Sequence, residues 1–115
     1  MLERRERRLF VECPISIEGN QGVSQGKLFN LSPGGGAIES ATPVQSGTIL
    51  TLRVHLPSLR QPIEVDRAEV TWTAGDDFGV QFVQLGPQER ERLNQVITDL
   101  LHGIQPHQVH QMHHA

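Results

Sequence analysis

The sequence predicts a mainly β fold, a small antiparallel barrel of six strands followed by one C-terminal helix. Three observations lead to this prediction. Apolar and polar residues alternate through most of the chain up to Phe82, which is the pattern of strands with one buried face. Short segments rich in Gly, Pro, Asn and Asp interrupt the alternation, as hairpin turns do. After Phe82 the apolar spacing becomes that of a helix.

The first three strands are predicted on either side of a hairpin turn and a glycine-rich corner. Apolar residues alternate from Leu9 to Ile17, and the segment GNQG at 19–22 follows as a turn. The second strand is expected from about Val23 to Phe29 and a short third strand from about Ala37 to Glu39. Between them, the segment LSPGGG contains three consecutive glycines, which either turn a corner or make room for an approaching group.

The last three strands show the same alternation with one slip. The fourth strand is expected from Leu50 to Leu56, before the break PSLRQP. The fifth carries Ile63 and Val65 in one phase but its later apolar residues in the other, which predicts a β-bulge near Asp66–Arg67. The turn AGDD at 74–77 then leads into a last strand. The apolar residues after the slip and in the last strand are Ala68, Val70 and Trp72, then Phe78, Val80 and Phe82.

A helix is predicted from Pro87, which takes the first helical position, with Glu89 in the first turn. Gly103 and Pro106 are expected to end it. Its apolar stripe must cover something apolar. We expect it to pack over one mouth or face of the barrel, although pairing with a second copy in a dimer is the alternative. The stripe consists of Leu93, Val96, Ile97, Leu100, Leu101 and Ile104.

Composition and net charge argue against several classes of protein. The 115 residues are enough for one domain. The formal net charge of −3 argues against a general DNA- or RNA-binding protein. The chain has no apolar run near the roughly 20 residues that cross a bilayer, and its start, MLERRERRLF, lacks the apolar stretch of a signal peptide. We therefore expect a cytoplasmic protein without membrane insertion.

No enzyme or metal site is predicted. Cys13 is the chain's single cysteine and is expected to be a small buried residue on a strand. His55 lies in an alternating segment and is interpreted as an exposed strand residue. The tail after Pro106 holds four of the six histidines, but a terminal segment offers neither a rigid cage nor a second coordination shell, so no metal site is expected there.

Two short segments carry candidate binding residues. Arg4 and Arg8 form the spacing Arg-x-x-x-Arg before the first strand, and a guanidinium can donate paired hydrogen bonds to guanine or to phosphate. A solvated basic arm is the alternative. In the segment NLSPGG, Asn30 and Ser32 either contact a ligand or cap their own backbone. Asn30 follows Arg8 by 22 positions.

Together, in this order, the two segments resemble the two-part signature of PilZ domains. The later segments EVTW and FGVQF, followed by a helix, are also similar to the family, so the resemblance extends over about residues 3–101. PilZ domains are six-stranded antiparallel barrels that receive the bacterial second messenger cyclic di-GMP. The resemblance implies that fold and that ligand, with no resident cofactor.

The resemblance also implies roles for individual residues. Arg4 and Arg8 would bind the ligand, with Arg5 as an auxiliary cation. Asn30 would meet the Watson–Crick edge of a guanine, and Ser32 would add a hydroxyl contact. Many members have Asp at the position of Asn30, and an amide has only one acceptor oxygen for the two donors of that edge. The glycines would make room for a base and sugar: Gly35 would keep the surface clear, and Gly34 and Gly36 would help the turn.

The expected organisation is a flexible basic arm at 1–8, the barrel with its helix at 9–104, and a disordered His-rich tail at 105–115. The first functional hypothesis is a cyclic di-GMP receptor whose arm folds onto the barrel with the ligand and so changes a surface for a partner protein. The alternatives are a PilZ-like adaptor that binds no nucleotide and a small barrel that binds single-stranded nucleic acid. The last is disfavoured by few aromatic residues and an acidic charge balance. Both a monomer and a homodimer are compatible with the sequence.

Overall fold

The structure is a computed structural model that describes residues 8–20, 22–56 and 59–102. Within these residues it has six β-strands and one α-helix, as the sequence predicts. The flexibility expected for the arm falls largely on residues 1–7, and the disorder expected for the tail falls on 105–115; both lie outside the described residues. The elements are β1 (Leu9–Gly19), β2 (Gly22–Ser32), β3 (Gly35–Glu39), β4 (Ile49–Val54), β5 (Ile63–Ala74), β6 (Asp77–Gln84) and α1 (Pro87–Leu101).

The strands form a closed barrel in the order β1-β2-β3-β6-β5-β4, and every neighbouring pair is antiparallel. Hairpins join β1 to β2 and β5 to β6, as predicted. The tight turns between these strands use Gly22 and Gly75, whose φ angles of 112° and 62° lie in the left-handed region that favours glycine. The predicted fold class is confirmed.

The predicted bulge in β5 is also confirmed. Along β4 and β5, Leu52 pairs with Val65 but Leu50 pairs with Ala68, so β5 contains one extra residue between these pairs. This extra residue lies at 66–67 and changes which alternate positions face the core. Sequence periodicity detected the bulge because both flanking phases are strongly apolar.

The inner faces of the strands form one core. Cys13 lies in it as expected, and burial raises the pKa of its thiol, as does the nearby charge of Glu12, against a backbone hydrogen bond that lowers it. The core side chains of the strands are Cys13, Ile15, Ile17, Leu28, Leu31, Ile38, Leu50, Leu52, Val54, Ile63, Val65, Ala68, Val70, Phe78, Val80 and Phe82.

Helix α1 packs on the barrel, as expected, and contacts β5 and β1. It buries Leu93, Val96 and Ile97 in the same core cluster. Leu101, which the sequence analysis placed in the buried stripe, is instead 39% exposed at the last position of the helix. Ile104 lies outside the described residues. The helix ends at Leu101, before the predicted stop at Gly103.

Candidate functional site

The two candidate segments meet at one end of the β1–β2 pair. Arg8 directly precedes β1, and Asn30 lies near the end of β2. The guanidinium Nη1 of Arg8 donates to Oδ1 of Asn30 over 3.5 Å, across 22 positions of sequence. This bond is long and exposed, and therefore weak. Arg4 and Arg5 lie outside the described residues.

A shift in strand register turns Asn30 outward. Leu28 and Leu31 both face the core, although residues three apart lie on opposite faces of a regular strand. The pairing of β2 shifts between Leu28 and Asn30 on both of its sides, against β1 and against β3. β-Bulges commonly re-aim side chains beside functional sites. The three-residue spacing of the two leucines was the sequence signal for this shift.

Ser32 closes the turn that follows. Its side chain is buried, and its Oγ donates to the backbone oxygen of Gly35 over 3.3 Å, across the turn formed by Pro33 and Gly34. The carbonyl of Gly34 accepts a hydrogen bond of 2.8 Å from the backbone nitrogen of Phe82 in β6. The hydroxyl of Ser32 therefore has the local backbone contact that one of the two sequence interpretations predicted.

The glycines after the turn make room for neighbouring strands. A Cβ on Gly35 would collide with the backbone oxygen of Val80 in β6. On Gly36 it would lie 2.7 Å from the backbone oxygen of Asn30 and 2.9 Å from Cδ1 of Leu28. The resemblance to PilZ domains predicted that this room serves a base and sugar. In the structure the Cβ directions of both residues point at the protein's own strands, because β3 lies close between β2 and β6.

A row of residues on the outer face extends from the candidate site across the sheet. Strand register places Phe10, Asn30, Ala37, Gly79 and Trp72 side by side on β1, β2, β3, β6 and β5. Phe10 is 90% exposed, and the indole of Trp72 covers Gly79, where a Cβ would collide with it. Small residues thus separate an aromatic ring at each end. Sequence reasoning missed Phe10, although a Phe at a polar position of the alternation was a signal.

Helix α1 also reaches the turn. Nη1 of Arg90 donates to the backbone oxygen of Pro33 over 2.6 Å, and the two residues are 57 positions apart. Nothing in the local pattern of the helix distinguishes Arg90 from the other charged residues beside it. Sequence reasoning therefore had no signal for this contact.

The arrangement offers groups for binding. A guanidinium, an amide and exposed aromatic rings can recognise hydrogen-bonding edges, anions and flat ring systems.

His55 is exposed as predicted and lies just beyond β4, with Nε2 3.1 Å from Oγ of Ser16. Across residues 8–20, 22–56 and 59–102, no group of three or more His, Cys, Asp or Glu is arranged to hold a metal ion. Within the same ranges, no helix combines the length and apolar character needed to cross a bilayer.

Comparison with known families shows to which family the chain belongs. The sequence pattern described as the PilZ domain matches residues 2–99. The chain belongs to the PilZ family. The match includes both arginine positions of the arm and the Asn-x-Ser-x-x-Gly segment of this PilZ domain. A search among curated proteins found no match.

Solved structures share the PilZ fold. YcgR of Escherichia coli in complex with c-di-GMP has a TM-score of 0.74 and 17% identity, over 87% of this chain and 46% of that chain. The inhibitor of motility MotI/DgrA of Bacillus subtilis has a TM-score of 0.71 and 19% identity, over 89% and 53%. The PilZ domain of E. coli YcgR with c-di-GMP has a TM-score of 0.69 and 15% identity, over 89% and 94%. This PilZ domain thus spans about half the length of MotI and YcgR.

Proposed function

We propose that this PilZ domain is a receptor for cyclic di-GMP and not an enzyme. The observation that carries the proposal is the contact between Arg8 and Asn30, because it joins the two halves of the family's binding signature at one exposed place. PilZ domains are binding and adaptor domains, and two of the structural neighbours contain c-di-GMP.

The chemistry of the ligand suits the residues around this contact. Cyclic di-GMP carries two guanines, which present O6 and N7 as acceptors, and two anionic phosphodiesters. Arg8 would donate to one of these groups, with Arg4 and Arg5 as further cations. Asn30 would face the Watson–Crick edge of a guanine. The ring of Phe10 is 90% exposed and lies opposite Asn30 on β1, so a base held by Asn30 would stack on it.

The weak bond between Arg8 and Asn30 also supports a change on binding. A 3.5 Å exposed hydrogen bond is readily exchanged for shorter, charge-assisted bonds to a ligand. We therefore propose that the ligand orders residues 1–8 on the barrel and so alters a surface for a partner protein. The adaptor that binds partners without nucleotide is the second candidate, and the 90% exposure of Phe10 is the observation in its favour.

A titration with cyclic di-GMP tests the proposal. Trp72 is the chain's only tryptophan, so its fluorescence reports on this face without labelling. GTP and a short oligonucleotide serve as competitors of other classes. We expect a saturable fluorescence change with cyclic di-GMP alone, matched by a calorimetric signal. No heat and no fluorescence change with cyclic di-GMP would leave the adaptor as the function of this domain.

Replacing Arg8 by Ala is the first variant to compare. Loss of charge-assisted bonds to the ligand should cost about 2–4 kcal/mol of binding free energy. Arg4→Ala should weaken binding by a similar amount. Arg53→Ala is the matched control, because Arg53 lies on β4 and forms an exposed ion pair of 3.2 Å with Glu64, away from Asn30. Calorimetry measures the affinity of all three variants for cyclic di-GMP. An affinity equal to that of the Arg53 control would remove Arg8 from the site.

Hydrogen exchange tests the ordering of the arm. Four arginines and few apolar residues in the first eight positions favour a mobile free arm. We expect fast amide exchange through Arg8 in the free protein and protection in the complex, with smaller changes at 30–36. Equal protection with and without cyclic di-GMP would mean that the arm is a preformed part of the pocket.

A further inference from the structure

The β2–β3 turn is held by helix α1 as well as by the barrel. The bond from Nη1 of Arg90 to the oxygen of Pro33 is short, at 2.6 Å, and its donor is charged. Arg90 is half-buried, so water competes for this bond less than at an exposed site. Because Pro33 has no backbone N–H, its carbonyl is the one polar group through which its backbone can be held.

The turn connects the residues of the candidate site. Pro33 follows Ser32 directly, and Asn30 lies two positions before Ser32 on the same strand. Across the turn, Ser32 bonds to Gly35, and Gly34 bonds to Phe82 of β6. A displacement of the Pro33 carbonyl would therefore move the end of β2 on which Asn30 and Ser32 lie.

The helix itself is firmly placed. Its first turn is tied to the start of β5, where a carboxylate oxygen of Glu89 accepts a 2.9 Å hydrogen bond from the backbone nitrogen of Glu64. Arg92 donates to the backbone oxygens of Gln61 over 2.5 Å and Pro62 over 3.4 Å. The helix also buries Leu93, Val96 and Ile97 in the core cluster, so its position does not depend on Arg92 alone. Arg90 thus reaches the turn from a fixed support.

We propose that Arg90 is a positioning residue of the nucleotide site: it holds the Pro33 carbonyl, keeps Asn30 at the end of β2 in binding geometry, and so couples helix α1 to the ligand. This inference rests on the proposed function. By the reciprocity of coupled equilibria, a helix that supports the bound form of the turn is itself stabilised when the ligand binds.

Arg92 provides a matched control on the same helix. Arg90→Ala and Arg92→Ala each remove one guanidinium and its bonds from the helix to backbone carbonyls, and Arg92→Ala also removes an ion pair of 3.1 Å with Glu89. They differ in the segment that is released, which is the β2–β3 turn for Arg90 and the segment before β5 for Arg92. Arg90→Lys retains a cation that can donate to a single carbonyl.

Calorimetry with cyclic di-GMP compares these variants with the wild type. We expect Arg90→Ala to weaken affinity about tenfold, Arg92→Ala to change it less than twofold, and Arg90→Lys to recover most of the loss. Thermal unfolding of each variant shows whether it is folded at the temperature of the titration. Wild-type affinity in a folded Arg90→Ala, or an equal loss in Arg92→Ala, would overturn the positioning role.

Hydrogen exchange on the free protein separates this inference from the proposed function. Without ligand, Arg90→Ala should speed amide exchange in residues 31–36, whereas Arg92→Ala should leave that segment at the wild-type rate. Equal exchange in the two variants would overturn the claim that Arg90 holds the turn. If the wild type gives no heat with cyclic di-GMP, the proposed function fails, and the exchange rates still decide whether Arg90 holds the turn.

Discussion

At the scale of single residues, the position of Asn30 decides the chemistry of the candidate site. Its amide offers one acceptor oxygen, which already accepts a hydrogen bond from Arg8. A guanine's Watson–Crick edge presents two donors, at N1 and the exocyclic amine, which a carboxylate matches with two oxygens. An amide can instead accept from N1 and donate to O6, and it then leaves the exocyclic amine without a partner.

Asn30→Asp should therefore preserve cyclic di-GMP binding or tighten it by about 1 kcal/mol. The gain is limited because the carboxylate would also pair more strongly with Arg8 in the free protein, and an exposed pair of this kind contributes up to about 1 kcal/mol. Calorimetry measures the change. Asn20→Asp in the exposed β1–β2 turn is the control with the same chemistry. A tenfold loss at position 30 alone would mean that the amide donates to a phosphate or caps the turn.

At the scale of elements, strand β3 depends on residues without side chains. Gly35 and Gly36 let it approach β6 and β2 more closely than a Cβ allows. The turn that precedes them is then bonded to β6 through Gly34 and to α1 through Pro33. The candidate site thus lies where β2, β3, β6 and α1 are attached to one another.

Gly36→Ala should destabilise the fold by about 1–3 kcal/mol, since the new methyl group would lie 2.7 Å from the Asn30 oxygen and 2.9 Å from Leu28. Gly86→Ala is the control, because its Cβ would meet nothing nearer than Cγ of Glu89 at 3.9 Å and its φ of −63° suits any residue. Gly86 is the N-cap of α1, so Ala there should cost less than about 1 kcal/mol. Urea unfolding compares the two. A Gly36→Ala variant as stable as the control would show that β3 can move away at little cost.

At the scale of the whole molecule, closure of the barrel encloses Cys13. The side chain is 4% exposed, and burial raises the pKa of its thiol. The folded protein therefore keeps a proton that the unfolded chain loses as the pH rises past the ordinary thiol value. Because the unfolded state then binds fewer protons, the free energy of unfolding should fall as the pH rises above about 8.5.

A thiol reagent tests this enclosure. Cys13 is the only cysteine, so its labelling reports on one site. We expect labelling at neutral pH to be slow and to accelerate with urea in step with unfolding. Cys13→Ser should remove the thiol's contribution to the pH dependence of stability. Labelling at the rate of a free thiol in the absence of urea would contradict the enclosure of Cys13.

The sequence by itself determined the class of fold and most of its elements. Alternation identifies which side chains of a strand are buried, so the strand from Leu9 to Ile17 and the bulge near Asp66–Arg67 were predictable. The change to helical spacing and the proline at position 87 made the start of the helix predictable as well. The two candidate segments were recognisable too, because their residue types and the 22 positions between Arg8 and Asn30 are visible in the sequence itself. Direct ligand contacts at these residues remain predictions.

Only the tertiary structure decided how these pieces meet. The register shifts on both sides of β2 place Asn30 opposite Phe10, and the close packing of β3 explains Gly35 and Gly36. The contact from Arg90 to Pro33 joins residues 57 positions apart. Such features depend on which strands become neighbours when the barrel closes and where the helix then rests. Local periodicity records burial within one element, and it contains no information about the distance between atoms of two elements.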